Sequence, residues 1–191
     1  MRLRTDLMDD EGTRAKFRQD LEVMHALVRE GIAYARTLHG AAEPPCRIDA
    51  DALFESMVAD YEDAGRPVRL EGRAGAPVVT RPHALRRIVA NLVDNALKYG
   101  GDVRLRVQPE GGRLVVAVTD DGPGIPEDEL EAVLQPFYRV EGSRNRDTGG
   151  TGLGLAIALQ LATAMGATLR LRNRAEGGLE ARLVLPTTAD T

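Results

Sequence analysis

The 191-residue chain is predicted to be α+β. The expected fold is a two-layer α/β sandwich, a mixed sheet covered on one face by helices, preceded by a partial helical hairpin. Three observations predict this. Before residue 40 the apolar residues recur only at helical spacing. After it, strand and helix patterns alternate irregularly, which does not describe a regular βαβ series. The strands also arrive largely as hairpin pairs, separated by glycine-containing turns.

Each element has its own signal. From Thr13 to Thr37, Phe17, Leu21, Met24 and Val28 recur at steps of four and three, with Ile32 and Ala35 near the seam and Leu27 widening it. This is a bundle or coiled-coil face. A short apolar stub, Leu3, Leu7 and Met8, precedes it across the polar turn Asp9–Gly12. The first helix reads as cut short, and so small a pair is expected to associate with another copy. Residues 1–40 are thus expected to be a truncated dimerisation hairpin and 41–191 a second domain, with the linker between them at Gly40–Pro45.

Beyond the linker, Asp49 to Ala64 predicts a capped amphipathic helix with Leu53, Phe54, Met57, Val58 and Tyr61 inward. Pro67 to Glu71 and Pro77 to Thr80 are strand candidates. Arg81 to Tyr99 is a strong helix, with Pro82 in its first turn and Gly100-Gly101 ending it. Val103–Gln108 and Arg113–Thr119 form a hairpin around Gly111-Gly112. A loop follows, with one short helix near Glu127–Val133. A helix from about Thr151 to Met165 and the strands Thr168–Asn173 and Leu179–Leu185 complete the chain.

Composition excludes several classes. Hydrophobic residues at 43% and charged residues at 28% are ordinary for a globular chain and argue against wholesale disorder. A net charge of −4 argues against a general nucleic-acid binder. No apolar run approaches the roughly 20 residues needed to cross a bilayer, and no signal peptide opens the chain, so no membrane contact is expected. The lone Cys46 excludes an internal disulfide and a cysteine-built metal site. With aromatics at 4% and no Trp, the core must be mostly Leu, Val, Ile and Ala.

The chemistry lies in the second domain. Asn91 and Asn95 are four apart and Lys98 is three further on, so one helix face carries all three. The opposite face, Leu85, Ile88, Val89, Leu92, Val93, Ala96 and Leu97, must be core. Two amides and an ammonium suit a magnesium triphosphate: an amide oxygen is a hard neutral ligand, and a lysine neutralises phosphate. Taken alone, the same strip reads first as a plain solvated polar face. Directly after a strand comes Asp120-Asp121-Gly122-Pro123-Gly124-Ile125. Its carboxylate could accept from an exocyclic amine and its glycines could admit a flat ligand, although an Asp-Gly pair alone marks a turn. Gly149-Gly150-Thr151-Gly152-Leu153-Gly154 opens a helix, where free N–H groups favour phosphate. It is neither a GxxxxGK[ST] loop nor a βαβ GxGxxG. Between these lie Arg139, Arg144 and Arg146, either a basic lid or a solvated loop.

The four segments NLVDNALKY, DDGPGI, PFYR and GGTGLGL, in that order, resemble the N, G1, F and G2 boxes of sensor histidine kinases, within the larger ATPase group that includes gyrase-type and chaperone-type enzymes. The resemblance implies a Bergerat-type sandwich with ATP held between the N-box helix, the G1 loop and the G2 helix start. It assigns Asn95 to Mg²⁺, Asn91 to the phosphate–metal side, Lys98 to phosphate and Tyr99 to the adenine side. Asp120 would recognise the adenine amine, with Gly122, Gly124 and Ile125 shaping the pocket. Arg139 and the run Gly150, Thr151, Gly152, Leu153 and Gly154 would face the phosphates. Asn91, Lys98 and Arg139 would be the catalytic set.

The N-terminal stretch ending Ile32-Ala33-Tyr34-Ala35-Arg36 resembles the second helix of the family's dimerisation and phosphotransfer domain. The acceptor box is missing: Leu3-Arg4-Thr5 has no preceding His, and Asp6 stands where the family has Pro. None of His25, His39 and His83 lies in an acceptor box. The expectation is a cytoplasmic catalytic region that binds ATP and Mg²⁺ and transfers the γ-phosphoryl to a histidine of a partner helix, without phosphorylating itself. Its parent would be an inner-membrane sensor of a bacterium that passes phosphoryl to a response regulator. The alternatives are a nucleotide-binding docking module without transfer activity, or an anti-sigma-type serine kinase or ATPase.

Overall fold

The computed structural model describes residues 43–140 and 151–186, with isolated helical positions between 17 and 35. Most of the predicted hairpin, including His39, lies outside the described residues. Of its seam, Phe17, Met24, Val28 and Ile32 are helical and exposed in the single chain. Among the described residues, no helix is long and apolar enough to cross a membrane.

The second domain begins with β1 (Cys46–Ile48), a strand that no sequence signal predicted, which pairs antiparallel with β3 (Val78–Thr80). Between them lie α1 (Ala50–Asp63) and β2 (Val68–Gly72). Helix α1 starts where expected because Asp49 accepts from the Ala52 N–H at 3.1 Å. Helix α2 (Pro82–Tyr99) has proline in its first turn and ends as the Gly100 N–H donates to the Ala96 carbonyl at 2.7 Å. Its N-cap, Arg81, supplies no side-chain capping bond. Glu43 does so instead from the linker, accepting from His83 N at 3.0 Å and Ala84 N at 3.1 Å.

Five strands form the main sheet: β2, β4 (Val103–Glu110), β5 (Arg113–Thr119), β7 (Leu179–Leu185) and β6 (Thr168–Asn173), in that spatial order. Strands β2 and β4 run parallel and the other neighbours antiparallel, so the sheet is mixed. Helices α1, α2 and α3 (Gly154–Ala164) contribute to one core with the near face of the sheet. Ile88, Val89, Leu92 and Val93 of α2 are almost wholly buried, as are Val103, Leu105, Val116 and Leu183 of the sheet. Each such side chain contributes roughly 1.5–3 kcal/mol on burial.

Two predicted boundaries move for physical reasons. The segment expected as a helix at Glu127–Val133 is two separate 3₁₀ turns, Glu127–Glu129 and Ala132–Leu134. Within those turns only Val133 is buried, so little apolar surface is available to hold an α-helix. Helix α3 begins at Gly154 rather than Thr151, because Gly152 has φ of 73° and cannot be helical.

The register brings three chain segments to one end of the sheet. Thr119 lies opposite Glu180, and Asn173 opposite Leu179. The loop after β5, the end of β6 and the start of β7 therefore meet there, beside the C-terminal end of α2.

Candidate nucleotide site

Asp120 follows β5 and is 5% exposed. Its backbone N–H donates to the Leu179 carbonyl at 3.1 Å. Its Oδ1 accepts from Gly122 N at 2.9 Å and from Leu179 N at 3.2 Å. Among the described residues no hydrogen bond reaches Oδ2. Burial pushes the Asp120 carboxyl above the ordinary carboxylate range, partly offset by the Gly122 and Leu179 N–H groups and by Arg174. The result is a fixed carboxylate with one acceptor oxygen uncommitted. Asp121 beside it is exposed and held below the ordinary range, first by the hydrogen bond from Arg174 and further by Arg104. Arg174 Nη1 donates to both Asp121 Oδ1 at 2.5 Å and the Asp120 carbonyl at 2.6 Å.

Close backbone packing locks the end of α2 to this carboxylate. A Cβ on Gly100 would lie 2.2 Å from the Asp120 Cβ, and one on Gly122 would lie 2.7 Å from the Tyr99 carbonyl oxygen. Both positions therefore demand glycine. The loop continues through Gly124, with φ of 74°.

Helix α2 then runs back from Tyr99 past Lys98 and Asn95 to Asn91, about 12 Å at 1.5 Å per residue. Asn91 and Asn95 are half-buried. Asn91 Nδ2 donates to the Arg87 carbonyl at 3.0 Å, which leaves its Oδ1 toward α3: a Cβ on Gly154 would lie 3.4 Å from that oxygen. Lys98 Nζ stands 4.9 Å from the centroid of the Tyr99 ring, a cation–π contact, and no carboxylate among the described residues pairs with it.

The start of α3 is tied to the PFYR segment. Phe137 N donates to the Gly152 carbonyl at 2.9 Å, and a Cβ on Gly152 would meet Phe137 C and Tyr138 O at 2.9 Å. Leu153 is fully buried; its N–H donates to Thr151 Oγ1 at 3.4 Å and its carbonyl accepts from Ile157 N at 2.9 Å. Thr151 and Arg139 are half-buried. Gly150, Arg144 and Arg146 lie outside the described residues.

The structure thus brings Tyr99, Asp120 and Gly122 into one cluster, and Asn91, Gly152 and Gly154 into another, with α2 as the spine between them. Two residues at the site were not foreseen. Asn173 and Arg174 grip the loop from 48 and 53 residues away in sequence. An Asn and an Arg at a strand end give no periodic or motif signal.

Residues 80–189 match the family described as histidine kinase-, DNA gyrase B-, and HSP90-like ATPases. The chain belongs to this family. The chain is 38% identical over 188 residues to the sensor histidine kinase GtrS of Pseudomonas aeruginosa. That alignment covers 97% of this chain, and the chain spans 38% of the length of that relative. Among solved structures, full-length ShkA in complex with AMPPNP shares the fold at a TM-score of 0.74 and 23% identity, covering 96% of this chain and 40% of that one. The ATP-binding domain of PrrB from Mycobacterium tuberculosis aligns at 29% identity and a TM-score of 0.57, covering 77% of this chain and 98% of that domain. The mixed sheet with helices on one face is thus the fold of this ATPase family.

Proposed function

We propose that residues 41–191 bind ATP with Mg²⁺ and catalyse transfer of its γ-phosphoryl group to a histidine on a partner helix, as the catalytic region of a two-component sensor kinase. The observation that carries this reading is Asp120: a buried carboxylate, rigidly held through Oδ1, with Oδ2 uncommitted beside the end of α2. A carboxylate oxygen so placed accepts from the exocyclic amine of adenine and rejects the carbonyl of guanine.

The phosphates would extend along α2 toward the start of α3. Lys98 neutralises phosphate charge, and Gly152 and Gly154 offer backbone N–H groups at a helix start. Among the described residues no group of three or more His, Cys, Asp or Glu could hold a metal. A magnesium ion would therefore be held chiefly by phosphate oxygens, with the Asn95 amide oxygen, and Asn91 near it, completing the protein side. When bound, that ion draws negative charge off the phosphate oxygens. The bond between an imidazole nitrogen and Pγ forms as the bond from Pγ to the β–γ bridging oxygen breaks, and ADP leaves. This chain's residues position the reactants and stabilise charge, which is most of what phosphoryl transfer needs. Arg139, one residue beyond the Gly152 contact, would face the transferring group.

Residues 1–40 would supply the dimerising part of a helical hairpin, and the phosphoryl group would pass to a response regulator in the longer protein. Calorimetry with Mg-ATP tests the reading. Submicromolar to millimolar binding by the native chain, abolished in Asp120→Ala, is expected. Full binding by that variant, or no binding by the native chain, overturns it.

A further inference from the structure

We infer that Asn173 is a positioning residue for the adenine-reading loop: its side-chain amide holds both backbone groups of Ile125 and so sets where the loop lies relative to Asp120. Asn173 Oδ1 accepts from Ile125 N at 2.9 Å, and Nδ2 donates to the Ile125 carbonyl at 2.6 Å. The amide thus pairs with the loop as a neighbouring strand would, and Nδ2 also donates to Glu127 Oε1 at 3.0 Å. Only a carboxamide both donates and accepts with this spacing; a carboxylate cannot donate and a hydroxyl is too short.

The loop is cut to receive it. Gly124 has φ of 74°, and a Cβ there would lie 2.6 Å from Asn173 Oδ1. The glycine therefore serves Asn173, whatever it does for a ligand. Asn173 ends β6, whose register with β7 is fixed opposite Leu179, the same residue whose N–H holds Asp120 Oδ1. Carboxylate and loop are thus referenced to one strand pair. Without Asn173, the segment Gly122–Ile125 keeps its tie at Gly122 but loses its far anchor, and the adenine edge is no longer presented to Asp120 in one geometry.

This inference rests on the ATP reading above, and its test separates the two. The full 191-residue chain is compared with Asn173→Ala, Asn173→Asp and Gly124→Ala. Arg170→Ala, on the open face of β6, is the control. Calorimetry gives affinities for Mg-ATP and Mg-GTP, and thermal melting without nucleotide reports the fold. Asn173→Ala should weaken ATP about tenfold and GTP much less, narrowing the preference while the melting temperature changes little. Asn173→Asp, which sets a carboxylate against the Ile125 carbonyl and Glu127, should lose more. The Gly124→Ala penalty should shrink in the Asn173→Ala background, since the clashing amide is gone. Unchanged ATP affinity in both Asn173 variants, while Asp120→Ala abolishes binding, overturns this inference alone. So does an equal loss for ATP and GTP that tracks a lowered melting temperature. No ATP binding by the native chain overturns both.

Discussion

Gly178 lies directly against the backbone of Asp120: a Cβ on Gly178 would sit 1.9 Å from the Asp120 carbonyl oxygen. Gly178 also has φ of 86°, so an L side chain is disfavoured there twice over. The β6–β7 turn can approach the candidate adenine reader only because this residue has no side chain. Gly178→Ala should therefore cost about 2–4 kcal/mol of stability by urea denaturation. Its neighbour Gly177 has φ of 96° but open space, with nothing within 4 Å of where a Cβ would stand, so it isolates the strain contribution. Gly177→Ala should cost only about 1 kcal/mol. Equal losses at the two positions would show that the close approach is not what Gly178 serves.

The raised Asp120 carboxyl predicts two opposite pH dependences. The folded chain holds the Asp120 proton more tightly than the unfolded chain does. The contribution of Asp120 to stability is therefore most favourable below the ordinary value of 3.8, and declines as pH rises through its folded value. Affinity for ATP runs the other way, because only the ionised carboxylate accepts from the adenine amine without offering its own proton. Affinity should fall as pH drops through the folded value, at a higher pH than an ordinary carboxylate would give. Dissociation constants measured across mildly acidic pH check this. Asp120→Asn should bind weakly and lose that dependence.

Phe137 is exposed at 61% yet has φ of 65°, a left-handed backbone that costs a non-glycine residue roughly 1–2 kcal/mol. Its ring gains little packing in return. Phe137→Gly should therefore leave stability unchanged or raise it by about 1 kcal/mol, as read from urea midpoints. A clear loss of stability would mean that the ring is packed against the domain rather than presented outward.

Glu43 ties the linker to the first turn of α2 through His83 N and Ala84 N. Two orphan helix donors and the positive end of the helix dipole depend on it. Glu43→Ala should destabilise the domain by about 1 kcal/mol. Glu43→Gln, which keeps one acceptor, should lose less. The measurement is thermal melting of the full chain.

Legibility in the sequence followed the range of each interaction. Helix α2 was readable because its apolar stripe, Pro82 and Gly100 are all local. The hairpins β4–β5 and β6–β7 were readable because alternation and the paired glycines lie within a few residues of each other. Strand β1 was not, since three residues show no period and its partner β3 lies about 30 residues on. Asn91, Asn95, Asp120 and Gly154 could be named from the four boxes and the family those boxes resemble, while Asn173, Arg174 and Glu43 could not. These last three act through polar bonds to groups 40 or more residues away, and such bonds leave no pattern along the chain.

By itself, the sequence determined most of the elements, the buried face of α2 and the family. The elements and the buried face depend on hydrophobic periodicity and local turn chemistry, which neighbouring residues specify; the family was legible only in the resemblance of the four boxes. Tertiary structure alone decided the mixed order β2-β4-β5-β7-β6, the burial of Asp120 and the fastening of its loop by Asn173. These depend on which distant backbones approach within hydrogen-bond range, and only the closed sheet brings them there.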